Sequence, residues 1–192
     1  MSSGNGSPHD RQRVAALSSV QCVRGRVTFR FMTNAAVPTL RAATDADLDD
    51  VRALFREYES WLDFSLCFQG FEAELAALPG RYAPPSGRLY VAECDGALAG
   101  CIALREFAPG IAEMKRLYVR DAARGRGVGR MLAERVVADA REIGYACMRL
   151  DTILERMPAA NALYESLGFR DIERYYENPM PGIRYMELDL RA

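Results

Sequence analysis

A turn with three glycines, residues 124–129, is the segment whose residue types best suit chemistry; its sequence is Arg-Gly-Arg-Gly-Val-Gly. Apolar alternation about Leu117 and Val119 predicts a strand before it, and apolar residues at helical spacing from Val128 to Ile143 predict a long amphipathic helix after it. The first N–H groups of a helix have no partner inside it, and the helix dipole favours negative charge there. Glycines let the backbone approach a phosphate closely. The turn is therefore a candidate site for a phosphate-bearing ligand.

The spacing within the turn narrows the choice of ligand. No Gly-Lys-Ser/Thr follows the glycines, so a nucleoside triphosphate P-loop is excluded. A dinucleotide fingerprint fits less well but stays open, because Asp151 ends the next predicted strand at roughly the distance of a ribose ligand. Arg124, Gly127 and Gly129 complete the pattern Arg/Gln-x-x-Gly-x-Gly/Ala. Here the chain resembles the Gcn5-related N-acetyltransferase (GNAT) superfamily, whose members bind the pyrophosphate of acetyl-coenzyme A at this turn. A glycine-rich turn without a ligand is the alternative.

Two further segments carry the resemblance, which spans about Thr39 to the C-terminus. EMKRLYV, residues 113–119, resembles the family's central strand, and NALYESLGF, residues 161–169, resembles its terminal acetyl-CoA motif. The resemblance implies an α/β (α+β) fold, in which a mostly antiparallel twisted sheet is splayed between its fourth and fifth strands and flanked by helices. It also implies acetyl-CoA as cosubstrate, without a metal. The residues that it implies for cofactor binding are Leu117, Tyr118, Val119, Arg124, Gly125, Arg126, Gly127, Val128, Gly129, Arg130 and Asn161.

Acetyl transfer to an amine needs a base for the amine and an acid for the departing thiolate. A lysine-like amine, with a pKa near ~10.4, is almost wholly protonated at pH 7. Because the only histidine is His9, a carboxylate is the expected base. By the resemblance, Glu113, eleven residues before Arg124, is that base, and Tyr164 protonates the thiolate. The alternatives are a surface carboxylate that pairs with a neighbour such as Lys115, and a tyrosine that only fills the core.

The remaining elements follow from periodicity and turn residues. The predicted helices cover residues 45–59, 71–78, 128–143 and 158–167. The predicted strands cover residues 39–43, 88–94, 98–106, 113–119, 147–152, 169–175 and 183–190.

Composition divides the chain in two. Residues 1–36 contain five arginines and one aspartate, a charge of +4, which leaves −5 for residues 37–192 when the total is −1. We expect a flexible basic N-terminal arm before an N-acetyltransferase domain. The arm is interpreted as a leader, with Met32 as the effective start, or as a transit peptide.

Five cysteines without a CxxC pattern favour reduced thiols in the cytoplasm, and no apolar run approaches the ~18 residues of a membrane span.

The acceptor is left open by the sequence. The candidate wall residues of its site are aromatic or polar: Trp61, Phe64, Phe68, Gln69, Tyr175, Tyr176 and Asn178. Bulky aromatic walls suit a small amine or an amino acid better than a long peptide, and the net −5 argues against nucleic-acid binding by the domain. We expect no membrane partner, and the sequence permits a homodimer. Two functions remain: a cytoplasmic N-acetyltransferase for a small amine, or an acyl-CoA-binding module without turnover.

Overall fold

The computed structural model describes residues 37–191, together with the backbone of residues 20–23 and 26–29. The chain divides into two compact units, Met1–Ala36 and Val37–Ala192. In the first, β1 (Val20–Val23) and β2 (Arg26–Phe29) pair as antiparallel strands. The predictions of an arm and a leader over residues 1–19 and 30–36 fall outside the described residues.

The second unit is a seven-stranded sheet flanked by helices. Its strands are β3 (Thr39–Ala42), β4 (Arg88–Cys94), β5 (Ala97–Ala108), β6 (Ile111–Val119), β7 (Cys147–Ile153), β8 (Arg170–Asp171) and β9 (Ile183–Asp189). Its helices are α1 (Leu48–Leu62), α2 (Phe71–Ala77), α3 (Val128–Ile143) and α4 (Pro158–Ser166). The strand order is β3-β4-β5-β6-β7-β9-β8. Every neighbouring pair is antiparallel except β6 and β7, so the predicted mostly antiparallel sheet is confirmed.

A hydrophobic core lies on each face of the sheet. Successive strand residues point to opposite faces, so β5 supplies Ile102 and Leu104 to one core and Cys101 and Ala103 to the other. Helix α3 covers the first core with Leu132 and its apolar neighbours, and helices α1 and α2 cover the second. Within the described residues, no helix combines the length and apolar character needed to cross a membrane.

Among the element boundaries that differ from the sequence prediction, two concern candidate wall residues of the acceptor site. Helix α1 continues to Leu62, so Trp61 belongs to the helix and not to the connection after it. The strand predicted over residues 169–175 shrinks to the two residues of β8. Tyr175 and Tyr176 instead lie in the loop of residues 172–182, where their rings pack against each other and against Tyr185. Aromatic residues of high strand propensity are drawn out of the ladder here because tertiary packing outweighs local preference.

Candidate active site

The strands β6 and β7 separate in the middle of the sheet. Their parallel pairing covers only Ile111 to Glu113 on β6, so the remainder of β6 has no partner on that side among the described residues. The site is built in this opening, where the backbone groups of β6 are left available. The opening corresponds to the splay predicted between the fourth and fifth strands of the domain.

A bulge shapes β6 at the opening. Tyr118 pairs with Cys101 of β5, and Lys115 pairs with Ala103, so β6 has one residue more than β5 in this interval. Arg116, in the bulge, has a φ of 58°, a left-handed conformation that is uncommon for a residue other than glycine. The Cys101 thiol donates a hydrogen bond to the Arg116 carbonyl at 3.5 Å. Burial raises the pKa of this thiol well above its usual range, which leaves it a poor nucleophile.

An outer cavity of about 1030 Å³, including its open mouth, lies between β6, the glycine turn and α4. Its lining includes most of the residues predicted to bind the cofactor: Leu117, Tyr118, Val119, Arg124, Gly125, Gly127, Val128 and Gly129. The other wall comes from residues 156–160 and Leu163, around the start of α4. The cavity therefore brings together two segments that are more than thirty residues apart in sequence.

The glycine turn presents backbone groups to this cavity. Gly125 and Gly127 have φ values of 75° and 82°, and a Cβ added at either residue would meet nothing within 4 Å. The first hydrogen bond that α3 closes runs from the Met131 N–H to the Gly127 carbonyl. No described side chain caps the start of α3, so its first N–H groups are available to a ligand. The turn thus combines open space with backbone donors, as a pyrophosphate requires.

The three arginines of the turn differ in their positions. Arg124 lines the outer cavity, donates to the Val119 carbonyl at 3.1 Å and lies over the Trp61 ring at 5.1 Å. Arg126 pairs with Asp95 of the β4–β5 turn, and Arg130 binds Glu134 and Ser166. Neither Arg126 nor Arg130 lines the outer cavity.

A second, inner cavity shares part of its lining with the outer one; its volume open to water-sized molecules is about 30 Å³, against about 400 Å³ for the outer cavity. Tyr58, Leu117 and Met157 line both cavities and form the junction between them. Polar or ionisable side chains of the inner lining are contributed by several elements: Tyr58, Gln69, Lys115, Arg116, Asp151, Thr152 and Tyr164. The inner cavity therefore has ionisable side chains in its walls, and it lies beside the cavity that the glycine turn lines.

Tyr164 lies in the wall of the inner cavity. It is 4% exposed, and its ring contacts Phe169 edge-on with centroids 5.8 Å apart. Within the described part of the chain its hydroxyl has no hydrogen-bond partner, which is unusual for a buried tyrosine. Burial raises the pKa of Tyr164 well above its usual range, and the nearby Tyr58 and Asp151 raise it further. The hydroxyl therefore keeps its proton, and the cavity is the place where it can find an acceptor.

Glu113 and Asn161 lie outside both cavity linings. Glu113 is 1% exposed, accepts a hydrogen bond from the Tyr175 hydroxyl at 3.0 Å and is paired with Arg105 at 2.6 Å. The side-chain amide of Asn161 donates to the carbonyls of residues 153 and 157, which closes the connection between β7 and α4. The roles predicted for Glu113 as base and for Asn161 as a contact of the cofactor stay predictions.

The sequence analysis missed several residues of the cavities as site residues, among them Tyr58, Lys115, Asp151 and Arg156. Tyr58 was not considered as a site residue, and Lys115 was considered only as a partner of Glu113 in an ion pair. Asp151 was considered only as a ribose ligand, and Arg156 was not considered. Asp151 and Lys115 occupy neighbouring strands where these separate, and that arrangement is visible only once the strand order is known. Among the residues that the structure describes, no group of acidic, histidine or cysteine side chains is arranged to hold a metal.

Comparisons with known proteins agree with this architecture. A family model described as an acetyltransferase (GNAT) domain matches residues 85–171. An uncharacterized N-acetyltransferase of Schizosaccharomyces pombe is 41% identical over 146 residues, which cover 75% of this chain and 89% of that protein. N-acetylaspartate synthetase of Danio rerio is 30% identical over 132 residues, which cover 68% of this chain and 45% of that protein.

Solved structures share the fold. An acetyltransferase of the GNAT family from Staphylococcus aureus Mu50 superposes with a TM-score of 0.68 at 16% identity, over 80% of this chain and 99% of that one. A putative acetyltransferase from Salmonella typhimurium, solved with its cofactor acetyl-CoA, has a TM-score of 0.60 at 21% identity, over 81% of this chain and 95% of that one. Acetyltransferases of this family take their acetyl group from acetyl-CoA. The chain belongs to the Gcn5-related N-acetyltransferase superfamily and is an acetyltransferase.

Proposed function

We propose that the protein transfers the acetyl group of acetyl-CoA to the amine of a small, amino-acid-like acceptor by direct attack of the amine on the thioester. The junction of the two cavities at Tyr58, Leu117 and Met157 carries this proposal. At these residues the outer cavity, which is lined by the glycine turn, adjoins a smaller cavity with polar and ionisable walls.

The chain offers suitable groups for the cofactor. The backbone of residues 125–129 and the start of α3 would hold the pyrophosphate, and the backbone of Leu117, Tyr118 and Val119 would bind the pantetheine arm along the unpaired edge of β6. Arg124 and Arg156, which both line the outer cavity, are placed to reach phosphate oxygens.

The inner cavity supplies the groups for proton transfer. Bound acetyl-CoA supplies the thioester whose acetyl group the amine takes. Tyr164, whose hydroxyl stays protonated and has no described partner, donates its proton to the departing sulfur. A backbone N–H near Val119 stabilises the negative charge that develops on the carbonyl oxygen.

Two carboxylates are candidates for the base that accepts the proton of the amine. Glu113 is the residue that the family spacing selects, and Asp151 is the carboxylate that lines the inner cavity. Glu113 would act through the Tyr175 hydroxyl, to which it is hydrogen-bonded, whereas Asp151 can accept a proton directly or through one water. The pH dependence of variants at the two positions separates these routes.

The size of the inner cavity and one group of relatives support the class of acceptor. The inner cavity is small and is lined by side chains of α1, β6, β7 and α4, which leaves no room for an extended peptide. The relatives named N-acetylaspartate synthetase, from fish to mammals, carry the name of an acetylated amino acid. An amino acid or a compound with the same functional groups is the acceptor that these observations favour.

Acetyl-CoA and a panel of amines test the proposal directly. The purified protein is incubated with acetyl-CoA and one amine at a time, and both the free thiol and the acetylated product are measured. We expect thiol release that depends on a small amine and gives an N-acetyl product of matching mass. Acetyl-CoA binding without turnover on any small amine, or turnover only on peptides, would contradict the proposed acceptor.

A further inference from the structure

We propose that the ammonium group of Lys115 binds a carboxylate of the acceptor, so that the inner cavity selects amines that also carry an acid group. This inference rests on the proposed function and names the feature of the acceptor that the site recognises. Lys115 is the only lysine in the chain, and the other cationic side chains are arginines.

The arginines around the sheet opening each have a close carboxylate. Arg105 approaches Glu113 to 2.6 Å, and Arg149 approaches Glu187 to 2.7 Å. Arg116 makes two bonds to Glu74, at 2.6 and 2.9 Å. Removing a charge from water is costly unless a partner and hydrogen bonds compensate for it. These three ion pairs meet that requirement within the protein itself.

Lys115 is the exception. Its side chain is 6% exposed, yet its nearest described carboxylate oxygen, on Asp151, is 3.5 Å away. The Gln69 amide oxygen lies at 3.2 Å, and the Tyr176 ring centroid lies at 5.9 Å. The bond to Gln69 has an ordinary length and the bond to Asp151 is long, so described residues accept two of the three hydrogen bonds that an ammonium group can donate. Lys115 thus retains donor capacity for one further acceptor in the inner cavity that it lines.

Asp151 accepts hydrogen bonds from a second residue as well as from Lys115. Its second carboxylate oxygen accepts a hydrogen bond from the Asn178 amide at 3.1 Å, so its negative charge is shared with the loop of residues 172–182. A second carboxylate beside Lys115 would give the ammonium group the close partner that each neighbouring arginine already has. Such a carboxylate has to come from a ligand, because Lys115 faces the inner cavity.

The position of Lys115 fits the reaction. Lys115 and Tyr164 line the same inner cavity, and that cavity opens towards the glycine turn at Tyr58 and Leu117. An acceptor held by its carboxylate at Lys115 can direct its amine towards this junction, where the thioester is expected. Lys115 would therefore determine both which amines bind and how they are oriented.

Matched acceptors test the assignment. Each α-amino acid that is a substrate is compared with the amine that has the same side chain but no carboxylate, and the ratio of their kcat/KM values is measured. We expect the wild-type protein to favour the amino acid, and Lys115→Met to reduce the ratio by roughly 10- to 100-fold, as expected for the loss of a hydrogen bond to a charged group. Arg141→Met, at an exposed cation of α3, should leave the ratio unchanged.

The outcomes of this comparison separate the two proposals. If Lys115→Met lowers kcat/KM equally for both members of each pair, Lys115 supports the structure and the inference is overturned. If the wild-type protein prefers the amines without a carboxylate, the inference is also overturned, while the proposed acetyl transfer to small amines stands. Turnover of no small amine would contradict the proposed function itself.

Binding to the wild-type protein provides a readout that needs neither turnover nor a variant. Lysine labelled with ¹³C at Cε gives one protein resonance, because the chain has one lysine. In the presence of saturating coenzyme A, we expect this resonance to shift with the amino acids and not with the matched amines. A resonance that is insensitive to the amino acids, or that responds alike to both sets, would overturn the assignment of Lys115.

Discussion

Replacement of Tyr164 by phenylalanine should separate catalysis from stability. The substitution keeps the ring, its packing against Phe169 and its burial, and removes only the hydroxyl. Because that hydroxyl has no hydrogen-bond partner among the described residues, the folded protein loses no internal bond. We therefore expect the free energy of unfolding to change by no more than ~0.5 kcal/mol, as for a substitution that breaks no packing or hydrogen bond.

The effect on kcat should be much larger. A general acid contributes about 10²- to 10³-fold or more to a rate, and each tenfold change corresponds to about 1.36 kcal/mol in the barrier. We expect kcat to fall by roughly 10²- to 10³-fold, about 2.7–4.1 kcal/mol, with little change in acetyl-CoA affinity. Because burial holds the pKa of Tyr164 above its usual range, ionisation of this tyrosine should not lower the wild-type kcat as the pH rises towards ~10.

Tyr145→Phe is a matched control. Tyr145 is buried to a similar extent, but its hydroxyl donates to the Ser86 carbonyl at 2.8 Å, and it lines neither the outer nor the inner cavity. This variant should lose about 1 kcal/mol of stability and keep its kcat. Thiol release from acetyl-CoA measures kcat, and urea unfolding measures the stability. In the thiol assay the exposed Cys67 thiol adds only a fixed background. A fully active Tyr164→Phe, or one that loses stability like Tyr145→Phe, would refute the role of the hydroxyl.

The remaining predictions concern cofactor binding, stability and the base. Gly127→Val, at a φ of 82°, should abolish the rise in melting temperature that acetyl-CoA causes. Gly110→Val, at a φ of 76° in a turn that does not line the outer cavity, is the control and should retain that rise. Equal rises in the two variants would refute the cofactor site. Asp47→Asn should cost about 1 kcal/mol at pH 7. Hydrogen bonds from Arg41 hold the pKa of Asp47 far below its usual value, so the contribution of Asp47 to stability is present above about pH 4 and is lost as the pH falls through the lowered pKa. Urea unfolding at several pH values should show the stability difference between the wild-type protein and Asp47→Asn shrinking as the pH falls. A difference that is constant with pH would contradict this prediction. If Glu113 is the base, the deficit of Glu113→Gln in kcat/KM should shrink as the pH rises, whereas a deficit that is constant with pH would show that Glu113 has a structural role.

The sequence was most informative where the relevant property is local. The glycine turn, the strand before it and the helix after it depend on consecutive residues, so their bounds were predicted closely and α3 was found at Val128–Ile143. Orphan N–H groups at the start of a helix and the conformational freedom of glycine are properties of the backbone, independent of distant contacts. The resemblance to the superfamily added the mostly antiparallel sheet and the splay between its fourth and fifth strands, which the structure confirmed.

The sequence was less informative about residues whose neighbours are distant in the chain. Glu113 was predicted from its spacing, but its burial depends on Arg105 of β5 and on Tyr175 of the loop after β8. Residues 169–175 have the composition of a strand, yet most of that segment leaves the ladder. In both cases, contacts between residues far apart in sequence decide the outcome, and periodicity indicates only which face a side chain takes.

What the sequence determined by itself is a glycine-rich turn between a strand and a helix and a resemblance to proteins that use acetyl-CoA. Only the tertiary structure brings Tyr58, Lys115, Asp151 and Tyr164, from four separate elements, to the walls of one cavity. Only the tertiary structure also reveals that every neighbouring arginine has a close carboxylate while Lys115 does not. The physical reason is that ion pairing and desolvation depend on distances of a few ångströms between distant segments, and those distances are set when the sheet and its helices pack together.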